Sequence, residues 1–299
     1  MDCLFFPINF RKVEDKLKDM MKQKDISTKQ YSIKMVIDSY NKRLRLDDYQ
    51  GNINHVIYIF EKIAHEEQVQ KLIIKGRRKD YHALLENGYQ CEGVIDHYFL
   101  GSDAYLFCKY LTKERKTNIY WIEEDKILKN VQKLDKSNEH QPVPKDYQLI
   151  KISKQDAIPL ATLYQKVFEI YPTPLHDPKY IEKTIDNGTI YFAFKNGEKI
   201  VCSASAERNV FYKNAELTDC ATLPEHRKHG LLKILLLKLE EELVHEGIYY
   251  AYSLARALSF GMNAALHQLG YSYRGRLMNN CYIFDKLENM NVWVKDLSK

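Results

Sequence analysis

Apolar residues recur every three or four positions in LLKILLLKLEEELVHEG, where Leu231, Leu235, Leu239 and Leu243 share one face of a predicted helix. That face belongs in a core. The pattern around this helix changes period several times. KISKQDAIPLATLYQKVFEIY reads as a strand followed by a helix, with Ser153 or Asp156 as its cap. PTPLHDPKYIEKTIDNG is a loop and a short helix ending at Gly188. Two β-rich runs flank Asn196-Gly197 and predict a hairpin. NAELTDCATL is a further strand, IYYAYSLAR another, SFGMNAALHQLG a helix, and YSYRGRLMNNCYIF a pair of strands. The predicted order is strand, helix, helix, three strands, helix, strand, helix, two strands. It implies an α/β fold, a mixed sheet flanked by helices.

Upstream, DKSNEHQPVPKDYQ is polar and carries Pro142 and Pro144, which disfavour both helix and central strand. The expected division is therefore 1–145 and 146–299. The first part echoes the second. Between 56 and 111 it reads helix, strand KLIIK, helix DYHALLENG, then strands. Gly88, Tyr89 and Gly93 lie 182 residues before Gly270, Tyr271 and Gly275, and the same offset sets Leu72 against Leu254 and Leu84 against Leu266. Shared turn chemistry after a helix is the plainer reading; a degenerate half-repeat of one fold is the favoured one.

A chain of 299 residues accommodates two such parts, each able to bury a core. A net charge of +5 is too mild to imply nucleic acid, though it favours a polyanionic ligand. The six cysteines form no CxxC pair and no His/Cys cluster of metal-ligand spacing, so no metal is expected. MDCLFFPINF has no basic leader, and no apolar run approaches membrane-spanning length. Cytoplasmic location, away from membranes, is the expectation.

The densest chemistry lies at Arg227-Lys228-His229-Gly230-Leu231-Leu232, after a strand and at the start of the long helix. First-turn N–H groups are unpaired and the helix dipole is positive there, so this is where phosphate binds. Gly230 lets the backbone approach a pyrophosphate, and Arg227, Lys228, His229 and Lys233 add positive charge. The matching stretch under the 182-residue offset is Arg45-Leu46-Asp47-Asp48, so no cofactor site is expected in the first part.

Arg227 and Gly230 resemble the acetyl-CoA signature of the Gcn5-related N-acetyltransferases, Arg/Gln-x-x-Gly-x-Gly/Ala, with Leu232 at the usually small last position. NAELTDCATLPEHRKHGL, YSLARALSFGMNAALHQLGY, GRLMNN and MNVWVK are similar to the β-lysine N-acetyltransferases across the whole second part. The resemblance implies acetyl-CoA as cosubstrate, held by Ala221, Thr222 and Leu223, by residues 227–232, and by Asn263 near the pantetheine arm. It implies a small-molecule amine substrate, β-lysine, acetylated at its ε-amino group to a compatible solute. Its metabolic partner would be lysine 2,3-aminomutase. A homodimer is left open. The alternatives are another small amine, such as lysine or a polyamine, and a non-catalytic coenzyme A-binding module.

An amine of pKa near 10.4 is neutral in only about one molecule in a few thousand at pH 7, so a base is useful. Glu216 matches the family's base position in A-E-x-x-x-C-A, and Asp219 reaches the same face if the strand is bulged. Each carboxylate has a plainer role as the partner of a basic neighbour. The family's Tyr acid is replaced by Leu266, which leaves Ser259, Tyr252 and Tyr271 as substitutes. Cys220 is expected to be a packed small residue. A substrate carboxylate calls for Arg256, with Ser259 and Asn279 beside it; Arg208, Arg274, Arg276 and Asn280 are further candidates.

Overall fold

The computed structural model describes residues 21–137, 142–168, 173–283 and 286–298. The readings of the first ten residues and of Cys3 lie outside them, as do residues 138–141 of the expected linker. The first half runs β1 (Met21–Ser27), β2 (Tyr31–Asp38), β3 (Arg43–Gly51), α1 (Ile53–Glu66), β4 (Lys71–Gly76), α2 (Tyr81–Glu86), β5 (Gln90–Phe99), β6 (Ser102–Tyr110), α3 (Lys113–Lys116) and α4 (Trp121–Val131). The second runs β7 (Tyr147–Lys151), α5 (Ala157–Val167), α6 (Pro178–Asp186), β8 (Ile190–Asn196), β9 (Lys199–Asn209), β10 (Asn214–Thr222), α7 (Leu231–His245), β11 (Tyr250–Arg256), α8 (Phe260–Gln268), β12 (Ser272–Ile283) and β13 (Lys286–Asp296).

All thirteen strands join one sheet in the order β1-β2-β3-β4-β6-β5-β12-β13-β11-β10-β9-β8-β7. Read outward from its centre, the sheet repeats itself: β5-β6-β4-β3-β2-β1 on one side and β12-β13-β11-β10-β9-β8 on the other. Among the described residues the strand pairs are antiparallel except β3 with β4 and β10 with β11. The first half thus has the strand order and directions of the second.

The glycines that share the 182-residue offset explain the junction. Gly93 and Gly275 pair with each other where β5 meets β12. Any side chain on Gly275 would overlap the Glu92 carbonyl and the Gly93 Cα, so the two equivalent strands touch because Gly275 carries no Cβ, while a Cβ on Gly93 would only crowd Val292. The helix ends match too. The N–H groups of Gly88 and Tyr89 donate to Leu85 and Leu84, and those of Gly270 and Tyr271 to His267 and Leu266. Leu72 and Leu254 are not equivalents. Leu72 packs in the first half's helix-facing core, Leu254 against the cluster on the opposite face of the sheet. A one-position slip reverses facing on a strand.

Period-two alternation divides the faces. In the second half Ala215, Leu217, Ala251 and Ala255 pack under α5, α7 and α8. In the first half Leu44, Leu46, Leu72 and Ile74 pack under α1. Leu235, Leu239 and Leu243 of α7 are fully buried and Leu231 nearly so, as the helix period requires. Ser153 and Asp156 bond each other at the entry to α5, since Asp156 Oδ2 accepts from both the Ser153 amide and hydroxyl.

One sequence expectation needs adjustment. The segment 271–284 holds one long strand, β12, whose partner β13 lies beyond it. Register shifts after Tyr273 and after Leu277 bend this strand without ending it. In addition, α4 lies before the expected boundary near 145 yet packs with the second half. Val131 joins that core, Leu134 O accepts from His267 Nε2 at 3.0 Å, and the Ser137 amide donates to Gln268 O at 2.9 Å.

Candidate active site

The site begins where β10 leaves β11. Their parallel ladder covers only Asn214, Ala215 and Glu216 against Tyr250, Ala251 and Tyr252, although β10 continues to Thr222 and β11 to Arg256. At the parting point Ser253 Oγ donates to Leu217 O at 2.7 Å, a side chain replacing a ladder bond. Beyond it, the edge of β10 that faces β11 has no strand partner among the described residues. Such an edge accepts an extended amide chain, as the pantetheine arm of coenzyme A is.

The split edge leads to the loop 223–230. Its end is Gly230, at φ +68°, the N-cap of α7. Left-handed backbone, rather than crowding, requires glycine there, because the space around a Cβ is open. Among the described residues no side chain caps the helix, and no acid lies in its first turn, so its N–H groups remain available to an anion. Arg227, Lys228 and His229 are exposed around it. Leu232, in the usually small position, is half-buried and packs toward the core. The loop is braced from β7: Tyr147 Oη bonds His226 Nδ1 at 2.9 Å, and its ring lies against His229. In the first half β3 passes to α1 through Asn52 alone, whose side chain caps the helix. The counterpart of the phosphate loop is therefore this single residue; Arg45-Leu46-Asp47-Asp48 lies within β3.

Three carboxylates converge where the strands diverge. Glu216 is opposite Glu207 of β9 in register, so both side chains occupy the face away from the helices. Tyr252 of β11 is in register with Glu216. A bulge lies between Thr218 and Ala221, and Asp219 at its centre has φ +51°. This irregularity, anticipated for Asp219, brings its charge to bear on Glu207. Asp219 Oδ2 accepts from Ser205 Oγ at 2.9 Å. Glu207 keeps part of its surface in solvent, yet partial desolvation and then the charges of Asp219 and Glu216 push its carboxyl up to about 8. That value suits a proton acceptor near neutral pH. Glu207 went unnoticed in the sequence. Its signal is the hairpin register, which sets SASAERN against NAELT.

The remaining candidates divide clearly. Asn263 is fully buried and its side chain is saturated. Nδ2 donates to Arg256 O and Ser259 O, and Oδ1 accepts from Asn291 Nδ2 and Trp293 Nε1, at 2.7–2.9 Å. It fixes the start of α8 and has no bond left for a pantetheine arm. Asn279 is likewise internal, donating to Arg115 O and Thr117 O. Tyr271 is fully buried beside Glu240. Ser259 sits at the N-cap of α8, half-buried, without a capping bond. Cys220 is partly buried and packed against the core, and burial, then Asp219, push its thiol well above the usual range.

Arg256 holds Glu288 through two bonds of 2.6 Å, and the Glu288 side chain is 1 % exposed. Its fork is therefore spent on a protein carboxylate rather than held open for a substrate's. Arg256→Ala is expected to cost about 2–3 kcal/mol, below the full price of a buried pair because the arginine is partly exposed. Thermal unfolding checks this, and Arg256→Met with Glu288→Met should recover most of the loss. A rise in the amine KM without loss of stability would return Arg256 to the substrate site.

The profile described as Acetyltransferase (GNAT) family matches residues 159–271. Three curated proteins are similar over nearly the whole chain. "N-acetyltransferase YodP" of Bacillus subtilis (strain 168) is 40% identical, covering 87% of this chain and 94% of its own. A "Beta-lysine N(6)-acetyltransferase" of Methanosarcina mazei is 34% identical, covering 84% and 100%. One of the same name from Methanococcus maripaludis is 32% identical, covering 87% and 94%.

Proposed function

The chain belongs to the acetyltransferase (GNAT) family, and from that premise we propose that it acetylates the ε-amino group of β-lysine in the cytoplasm, giving Nε-acetyl-β-lysine as a compatible solute. The observation that carries this reading is the Glu207–Glu216 pair at the parting of β10 and β11. It places proton acceptors where an amine would approach the cofactor edge. The likeness to two proteins named for β-lysine, running through both halves, supports the substrate. A lysine 2,3-aminomutase would supply it.

Acetyl-CoA brings the acetyl group as an activated thioester. The split edge around Ala221, Thr222 and Leu223 fits its arm, and the uncapped start of α7 with Arg227, Lys228 and His229 fits its phosphates. The protein's own part begins with the ammonium. The carboxylates of Glu216 and Asp219 favour its entry, and Glu216, with Glu207 opposite, takes the proton that makes the amine nucleophilic. Tyr252 keeps its proton across the neutral range, because burial and then the Glu216 charge push its phenol well up. It stands beside Glu216, while Leu266 is fully buried. Among the groups considered as acid, Tyr252 is therefore the best placed. Among the described residues no group of three or more His, Cys, Asp or Glu could hold a metal ion. We propose the division 1–145 and 146–299, with the catalytic machinery in the second part.

The regiochemistry tests the reading. Proton and carbon NMR of the product from β-lysine should place the acetyl group on the terminal amine. Acetylation of the amine nearer the carboxylate would contradict it.

A further inference from the structure

The first half keeps the sheet of an acetyltransferase without its phosphate loop, yet its concave face is not inert. On the face of β3 and β4 opposite Leu44, Leu46, Leu72 and Ile74 lie Arg45, Asp47 and Lys75, with the buried Ile73 beside them. Arg45 grips Asp47 through bonds of 2.7 and 3.0 Å, and Lys75 Nζ lies 3.0 Å from the same carboxylate. Lys75 also donates to Tyr98 Oη at 3.0 Å. Asp47 is held at about 2: burial would raise it, but Arg45 and Lys75 outweigh that effect. Two cations thus share one anion, and the wall keeps a net positive charge.

This wall faces the carboxylates of the second half. Arg45 acts electrostatically on Glu216, and Arg45 and Lys75 both act on Glu207. The halves are tied beside them: Tyr212 Oη donates to Asp48 Oδ2 at 2.7 Å, and Asn214 Nδ2 donates to Tyr98 O at 2.7 Å. Despite this closeness, no ion pair among the described residues links Arg45 or Lys75 to Glu207 or Glu216. Opposite charges that only stabilised the fold would close on each other. Here the cations are gathered on their own strands, and Arg45 Nη1 has no hydrogen-bond partner among the described residues. The two halves thus present cations and carboxylates toward one another, a pairing matched to a molecule with a carboxylate at one end and an ammonium at the other.

We infer that Arg45 and Lys75, fixed by Asp47, bind the carboxylate of the amine substrate and so make the first half the specificity wall of the second half's active site. The inference rests on the reading of Glu207 and Glu216 as the amine-receiving pair. It gives the half without a phosphate loop a reason to keep its charged strands, and it assigns the role first expected of Arg256.

The test compares β-lysine with 1,5-diaminopentane, which has two amines and no carboxylate. Initial rates are measured for the wild type, Arg45→Gln and Lys75→Gln. A site that pairs its buried polar groups with a substrate group rejects analogues lacking it, so the wild-type kcat/KM should favour β-lysine by ~100-fold or more. In Arg45→Gln that ratio should fall toward one through a rise in the β-lysine KM, with the acetyl-CoA KM unchanged. Asp47 retains Lys75 in this variant, and Lys75→Gln provides a second route in which Asp47 retains Arg45. Arg45→Lys, which keeps charge but loses the fork, should be intermediate. An undiminished preference for the carboxylated amine in both Gln variants overturns the inference alone. Wild-type protein that acetylates neither amine overturns the function proposed above, and this inference with it.

Discussion

Glu216→Gln lowers kcat for amine acetylation by about 10²–10⁴-fold, the range for losing a positioned general base, while the acetyl-CoA KM changes little. Steady-state thiol release measures both. The pH profile adds a sharper expectation. A base must be deprotonated to act, and Glu207 is poised at about 8. The wild-type rate should therefore rise with pH through that value. Since the Glu216 charge helps hold Glu207 up, the residual activity of Glu216→Gln should rise at lower pH than the wild type's. Glu207→Gln should abolish this limb. Stability moves with the same group. Its folded value exceeds the unfolded one, so stability is lost as pH climbs from the usual carboxylate range through about 8. Glu207→Gln should therefore raise Tm more at pH 9 than at pH 5. An unshifted limb in both variants would show that another group governs the profile.

Asn263→Ala produces the largest loss of stability. The substitution strips partners from two carbonyls, the Asn291 amide and the Trp293 indole, all gathered around one fully buried side chain. Unsatisfied buried groups cost about 1–3 kcal/mol each, less where a group relaxes toward another partner, so a total of about 4 kcal/mol is expected. That corresponds to a fall in Tm of roughly 10 °C. Calorimetry decides between two roles. A Tm within two or three degrees of wild type, with a selective rise in the acetyl-CoA KM, would make Asn263 a cofactor ligand instead.

Legibility followed the range of the interactions. The start of α7 was readable because phosphate affinity there is local, arising from Gly230, the first turn and the flanking cations. Glu216 was singled out by the family's A-E-x-x-x-C-A pattern, and the bulge at Asp219 by the parity conflict between two acids three residues apart. The repeat was readable from glycines, and the sheet explains why: Gly93 and Gly275 share the offset because they touch each other. Glu207 was not readable alone, since it becomes chemically notable only through the β9–β10 register. Arg45, Asp47 and Lys75 were harder still. Their significance depends on two halves of the chain facing one another, and Arg45 and Asp47 were noted only as the wrong residues for a phosphate loop. Asn263, Asn279 and Arg256 erred in the other direction. Polar residues within a functional motif resemble ligands, yet these three spend their bonds on the frame that holds β11, α8 and β12. Leu72 and Leu254 show the limit of periodicity, since one slipped position exchanged their faces.

The most direct test of the account is thiol release from acetyl-CoA with β-lysine and with α-lysine at matched concentrations. The account predicts a strong preference for β-lysine that disappears in Glu216→Gln. Equal, weak rates on both amines would contradict the proposed substrate, leaving an N-acetyltransferase of some other small amine.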